Sequence, residues 1–168
     1  MVAFWRFVTI VLSALALTMT SAHVLELPQK MRYTAEMYTA VNTTLYRYFA
    51  IIGGPYQIGA IVSAIVLTVL VRRQSVIFRW TLVGTVLLIA AFVSWLILVL
   101  PVNREVAAAL EASPQTVPML WLRLRDRWEY GHATGFVLHL AGFCVLVMSV
   151  VRDVRPRAGD YASNHLQD

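Results

Sequence analysis

Four apolar runs govern what this chain can become. They cover residues 7–27, 50–71, 80–100 and 131–151. Each is about 21 residues long, enough for an α-helix to cross about 30 Å of hydrocarbon at about 1.5 Å per residue. Hydrocarbon offers no partner to a free N–H or C=O, so each run must close its hydrogen bonds within itself, as a helix. The expected fold is all-α: an integral membrane four-helix bundle of up-and-down spans, with short helices in the two outer loops. Composition agrees, since 59% of the 168 residues are hydrophobic and 14% charged, above the apolar share of a soluble domain. Residues 1–154 are read as one transmembrane domain and 155–168 as a loose polar tail.

The first run carries a basic flank at Arg6 and a small-residue stretch, Thr20-Ser21-Ala22, as a signal peptide would. It continues apolar almost to Pro28, which favours a retained span. The net charge of +5 sits in short loops between the runs, so it points to a lipid bilayer surface and not to nucleic acid. Arg6, Arg72, Arg73, Arg79, Arg152, Arg155 and Arg157 fall on one side. Lys30, Arg32, Arg47, Arg104, Arg123, Arg125 and Arg127 fall on the other, over two longer loops. Short loops and flanks weigh most, which puts both termini in the cytoplasm, with a bacterial inner membrane as the expected location. Trp5, Tyr48, Trp80 and Trp128 stand near span ends as interfacial aromatics. Cys144 is the single cysteine, so an intramolecular disulfide and a CxxC metal site are excluded, and it is read as packing. A homo-oligomer or membership of a larger membrane complex is compatible with this small size. There is no Ser-His-Asp order, phosphate loop, Rossmann fingerprint or zinc ribbon, which argues against soluble nucleotide chemistry.

In the first outer loop Thr34 is placed to cap a helix reaching Tyr48, with Met37, Val41, Leu45 and Tyr48 at helical spacing. In the second, Pro101 is expected to stop the third span and Asn103 to cap a helix from Arg104 to Ala112, ending near Pro114. Met119 to Trp128 reads as a helical lead into the fourth span. Together these loops form a lid over one end of the bundle.

Two motifs under that lid mirror each other. His23-Val24-Leu25-Glu26 closes the first run and Glu129-Tyr130-Gly131-His132 opens the last. Each places an imidazole and a carboxylate on one helix face. In an up-and-down bundle both lie on the same side at similar depth. If they converge, His23, Glu26, Glu129 and His132 make a first shell for a single transition metal such as iron, zinc or manganese. A carboxylate-bridged di-iron site is disfavoured, because the second and third spans supply no carboxylate. The plainer reading solvates both carboxylates, pairing Glu26 with Lys30 and Glu129 with Arg125, each one turn away. His139 lies about 10 Å deeper on the same face as His132. It is a candidate axial ligand to a b-type haem, a proton relay, or a neutral imidazole bonded to a neighbouring helix, the last being favoured. Gly135 and Gly142 flank it at a spacing suited to close helix packing.

The stretch from Ala22 through His23 and Glu26 to Met31 resembles the first-span signature of small bacterial four-span membrane proteins. Pro101-Val102-Asn103, and Arg127-Trp128 followed by His132, resemble the anthrone oxygenase-like family. The resemblance runs from about Thr18 to Val151 and marks Asn103, Arg127, Trp128 and His132 as the recurring polar positions. Many relatives carry an arginine where this chain has Gly135. The fungal namesakes are implied to oxidise anthrones to anthraquinones.

The functional expectation is a membrane oxidoreductase or oxygenase acting on an apolar, aromatic small molecule near the outer face. His132 or His23 serves as base or metal ligand, and Glu26 and Glu129 as ligand or proton acceptor. Asn103 and Arg127 polarise a developing oxyanion. Trp128, with Tyr33 and Tyr130, stacks on the ring, and His139 and Trp128 are the candidates for touching a bound cofactor. The alternative is a non-enzymatic haem- or metal-binding membrane subunit or small-molecule carrier. The simplest alternative is a scaffold whose polar residues anchor span ends.

Overall fold

The computed structural model describes residues 1–154, so the expected polar tail lies outside the described residues. The chain runs α1 (Val2–Lys30), α2 (Ala35–Thr44), a 3₁₀ turn (Leu45–Tyr48), α3 (Phe49–Leu70), α4 (Ser75–Leu98), α5 (Leu100–Ala112), a 3₁₀ turn (Pro114–Thr116) and α6 (Val117–Val154). No strand occurs among the described residues. α1, α3, α4 with α5, and α6 are the four stretches long and apolar enough to cross a membrane. α1 packs on α3 and α6, and α4 packs on the same two helices, which closes the expected four-helix ring.

The ring is apolar outside and small or hydroxylated inside. Phe7, Leu15, Ile58, Val62, Val86 and Val137 face outward. Ala16, Ala60, Ala64, Thr68, Thr81 and Thr85 are buried. Between lipid-bathed helices there is little hydrophobic drive to associate, so close approach and interhelical hydrogen bonds take its place. The Thr68 and Thr85 hydroxyls meet at 3.0 Å, and Thr81 donates to Ser149 at 3.3 Å. At the α4–α6 crossing a Cβ on Gly84 would stand 2.7 Å from Leu146 Cγ and 3.1 Å from the Gly142 carbonyl oxygen, so only glycine fits. Cys144 lies on the outer, exposed face and not in the interior packing expected of it.

Both prolines expected at span ends sit within helical stretches. Pro28 lies inside α1, and the ladder resumes with Met31 N–H to the Leu27 carbonyl at 3.0 Å. Proline removes one donor, and near a helix end that loss is tolerated. Pro101 occupies the first turn of α5, where no N–H is needed. Val99 N–H bonds to Trp95 O and Asn103 N–H to Val99 O, each at 3.0 Å, so the third span carries on as α5 across the bundle mouth. Asn103 is therefore inside α5 and caps nothing. The lead from Met119 and the fourth span are one continuous 38-residue helix, α6.

Thr34 does cap α2, its hydroxyl accepting from Met37 N–H at 3.3 Å. The buried face of α2 is nevertheless Ala35, Tyr38 and Asn42. Met37, Leu45 and Tyr48 of the expected apolar stripe are exposed. A hydrophobic stripe turns inward when water is outside, and at a bilayer surface the apolar medium is outside. α2, α5 and the start of α6 cap the bundle with an aromatic cluster built from Tyr38, Tyr46, Trp121 and Trp128.

Candidate functional site

The two mirrored motifs meet under this cap because α1 and α6 are neighbours. The His23 and His132 imidazoles stack with centroids 3.8 Å apart and planes 20° from parallel. Tyr46 stacks on the other face of His23 at 4.6 Å, and Trp128 stands edge-on to both imidazoles, at 5.0 Å from His23 and 4.4 Å from His132. Trp128 is buried in this group and is no interfacial anchor.

The carboxylates go elsewhere. Glu129 is fully buried, and its Oε1 lies 2.8 Å from Lys30 Nζ and accepts from the Tyr38 hydroxyl at 2.8 Å. The Lys30 ammonium also lies 4.3 Å from the centroids of both Tyr46 and Trp128, a cation–π arrangement in a desolvated place. Lys30 thus pairs across helices with Glu129 and not along its own helix with Glu26. Arg125 donates to the Tyr33 carbonyl at 3.2 Å and does not pair with Glu129. Tyr38 lies in the cap, where burial first and the adjacent Glu129 second push its phenol above the ordinary range.

The expected metal shell does not form. No group of three or more His, Cys, Asp or Glu placed to hold a metal occurs among the described residues. A metal bound to an imidazole lies in the ring plane. Stacked planes tilted by 20°, with centroids 3.8 Å apart, meet at most roughly 10 Å away, against bond lengths near ~2 Å. Glu129 is already engaged by Lys30 and Tyr38, and Glu26 joins neither histidine. His139 is fully buried with Nε2 at 3.0 Å from the Ser13 carbonyl oxygen, the bonded imidazole favoured from the sequence. That contact engages Nε2, so this nitrogen is not free to bind a haem iron.

These groups border a cavity of about 460 Å³ within the bundle mouth. Its floor is Ala16, Ala91, Gly135 and His139, and its walls include Phe49, Phe92 and Trp95. His23, His132, Asn103 and Trp128 line it, whereas Glu26, Glu129, Arg127, Tyr33 and Tyr130 do not. Arg127 turns away to donate to the Ile97 carbonyl at 2.9 Å, because its place on α6 faces the α4–α5 junction. Asn103 Oδ1 accepts from Trp128 Nε1 at 2.8 Å, which leaves the amide nitrogen as donor. Gln57, whose amide reaches the Leu88 carbonyl at 3.4 Å, also lines the cavity.

Sequence reasoning missed Lys30, Tyr38, Asn42, Tyr46 and Trp121. Lys30 and Trp121 carried a usable signal, an ionisable group and an indole in stretches that tertiary packing buries. Tyr38, Asn42 and Tyr46 share a helical face, but the competing apolar stripe masked it. In comparisons with protein-family models, curated proteins and solved structures, nothing matches this chain.

Proposed function

We propose that this protein is a membrane oxygenase that binds a flat, apolar aromatic molecule in the bundle-mouth cavity and oxidises it with dioxygen. The observation that carries the reading is a cavity of drug-sized volume lined by aromatic rings together with the histidines of both motifs. The resemblance to the anthrone oxygenase-like family supplies the chemistry. We place the chain in a bacterial inner membrane with both termini cytoplasmic, following the arginines of the short loops.

His132 is the base. It lines the cavity, and no hydrogen bond engages its ring among the described residues. It takes a proton from an acidified ring methylene, and the Asn103 amide nitrogen donates to the oxyanion that forms. Dioxygen is the oxidant. The methylene loses two hydrogens and gains one oxygen atom as C=O, and the second oxygen atom leaves as water. Stacked as it is, His23 holds His132 in place, and Glu129 anchors the wall through Lys30. No step runs through a metal, because the ring geometry offers none a shared site.

The test is turnover of an anthrone under air by the protein in lipid nanodiscs, read as quinone absorbance. Replacing His132 by Asn is expected to lower the rate by about 100-fold or more with helicity unchanged. Binding without turnover in the wild type would overturn the oxygenase reading in favour of a small-molecule carrier, for which the same cavity serves.

A further inference from the structure

A second cavity, of about 350 Å³, opens between α2 and α5. It shares Asn42, Asn103, Ala107 and Trp121 with the larger one, so these residues border both cavities. Two polar atoms in this shared wall are buried without any hydrogen-bond partner: Asn42 Oδ1, an acceptor, and Trp121 Nε1, a donor. The residues themselves are 8% and 4% exposed. The Asn42 amide nitrogen is committed to the Tyr38 carbonyl at 2.9 Å, which orients the side chain and leaves only its oxygen. An orphaned buried donor or acceptor costs free energy unless something fills it, so such atoms beside a cavity are open to a partner from outside the chain. Among the described residues, no Asp, Glu, Lys or Arg lines either cavity.

We propose that Asn42 and Trp121 form a neutral hydrogen-bonding subsite at the cavity mouth that selects an uncharged guest bearing a hydroxyl group. A phenolic hydroxyl is donor and acceptor on one atom, so it complements the pair: its O–H goes to Asn42 Oδ1 and its lone pair receives Trp121 N–H. A carboxylate finds no counter-charge among the described residues of either cavity, so its desolvation goes uncompensated. The apolar body of the guest lies inward, against Phe49, Phe92 and Trp95. This inference rests on the cavity being a ligand site, and it adds a specificity rule that neither the aromatic walls nor the histidines supply.

The experiment is calorimetric titration of the protein in lipid nanodiscs, with empty nanodiscs as blank, using naphthalene, naphthol, the methyl ether of naphthol, and naphthoate. Naphthol is expected to bind about five- to ten-fold more tightly than its methyl ether, which cannot donate to Asn42, and naphthoate at least ten-fold more weakly than naphthol. Asn42→Leu and Trp121→Phe are each expected to lose most of the preference for naphthol over naphthalene while keeping naphthalene binding, which also shows that the variants fold. Should both variants weaken naphthalene and naphthol equally, or should naphthoate bind as well as naphthol, the subsite is overturned and the cavity stands. If the wild type binds none of the four, the cavity reading falls with it.

Discussion

The imidazoles of His23 and His132 lie face to face, 3.8 Å between centroids, with Tyr46 on the far side of His23. Two imidazole rings, one from the first span and one from the last, are thereby used as flat packing surfaces. The arrangement explains why a His/Glu motif pair of metal-binding appearance produces a stack and not a metal shell. It predicts that shape matters more than nitrogen at His23. His23→Phe is expected to change stability by less than about 1.5 kcal/mol, as shape-conserving swaps do. His23→Ala opens a void in the cap and is expected to cost about 2–4 kcal/mol. Thermal unfolding of both variants in nanodiscs, followed by circular dichroism, reads the difference, and equal losses would contradict it.

Lys30 and Glu129 pair at 2.8 Å with side chains 2% and 0% exposed. Removing one partner strands a charge in the cap. Lys30→Met alone or Glu129→Leu alone is expected to cost about 3–5 kcal/mol, while the double variant recovers most of the loss. A double-mutant cycle on unfolding midpoints measures the coupling, and additive losses would show the pair to be independent.

Tyr38 donates its hydroxyl to Glu129, and burial together with that carboxylate holds the phenol above its ordinary range. In the unfolded chain a tyrosine ionises near pH ~10. The folded value is higher, so its stabilising contribution is complete below about pH 10 and is lost as pH rises beyond that toward the folded value. Tyr38→Phe is expected to cost about 1.5–3 kcal/mol at neutral pH, the worth of a hydrogen bond to a charged group. The variant should also unfold less steeply than the wild type when alkalinity is raised past about pH 10. Parallel alkaline unfolding curves for the two proteins would count against this assignment.

Two glycines of apparently similar role should respond in opposite ways. A Cβ at Gly84 meets Leu146 Cγ at 2.7 Å and the Gly142 carbonyl at 3.1 Å, so Gly84→Ala forces α4 and α6 apart and is expected to cost about 1–3 kcal/mol. A Cβ at Gly135 meets nothing closer than Ser94 Oγ at 3.7 Å, and Gly135 borders the cavity. Gly135→Leu is therefore expected to leave stability within about 1 kcal/mol and to reduce naphthalene binding at least ten-fold by filling the cavity, since the new side chain occupies space that the guest needs. Unfolding midpoints and calorimetry on the same preparations separate the two. A stable Gly84→Ala, or a Gly135→Leu that binds as the wild type, would refute the corresponding half.

Much of the fold was legible because run length and hydrocarbon leave a chain few options. The four spans, the Thr34 cap and a lid over the end where the two motifs lie follow from length, apolarity and one hydroxyl. Where expectation failed, a local rule met a tertiary alternative. Pro101 reads as a stop, but in the first turn of α5 its missing N–H costs nothing. Asn103 reads as a cap, but its side chain serves the Trp128 indole. Met37, Val41, Leu45 and Tyr48 read as an inward stripe, but Met37, Leu45 and Tyr48 stay exposed while Tyr38 and Asn42 go in. The candidate site was half legible: His23, His132, Asn103, Trp128 and His139 reach the cavity, and Glu26, Glu129 and Arg127 do not.

By itself, the sequence determined that the chain folds as membrane-length helices and that two His/Glu motifs stand at one end of them. That follows from hydrogen-bond satisfaction in hydrocarbon, which acts along the chain and can be read along it. Only the tertiary structure decided what those motifs do. Packing α1 against α6 brings two imidazoles ring to ring and gives Glu129 a lysine as partner, leaving Asn42 and Trp121 with unfilled bonds in a cavity wall. Those outcomes depend on which side chains compete for the same few ångströms, and residues far apart in sequence settle that competition.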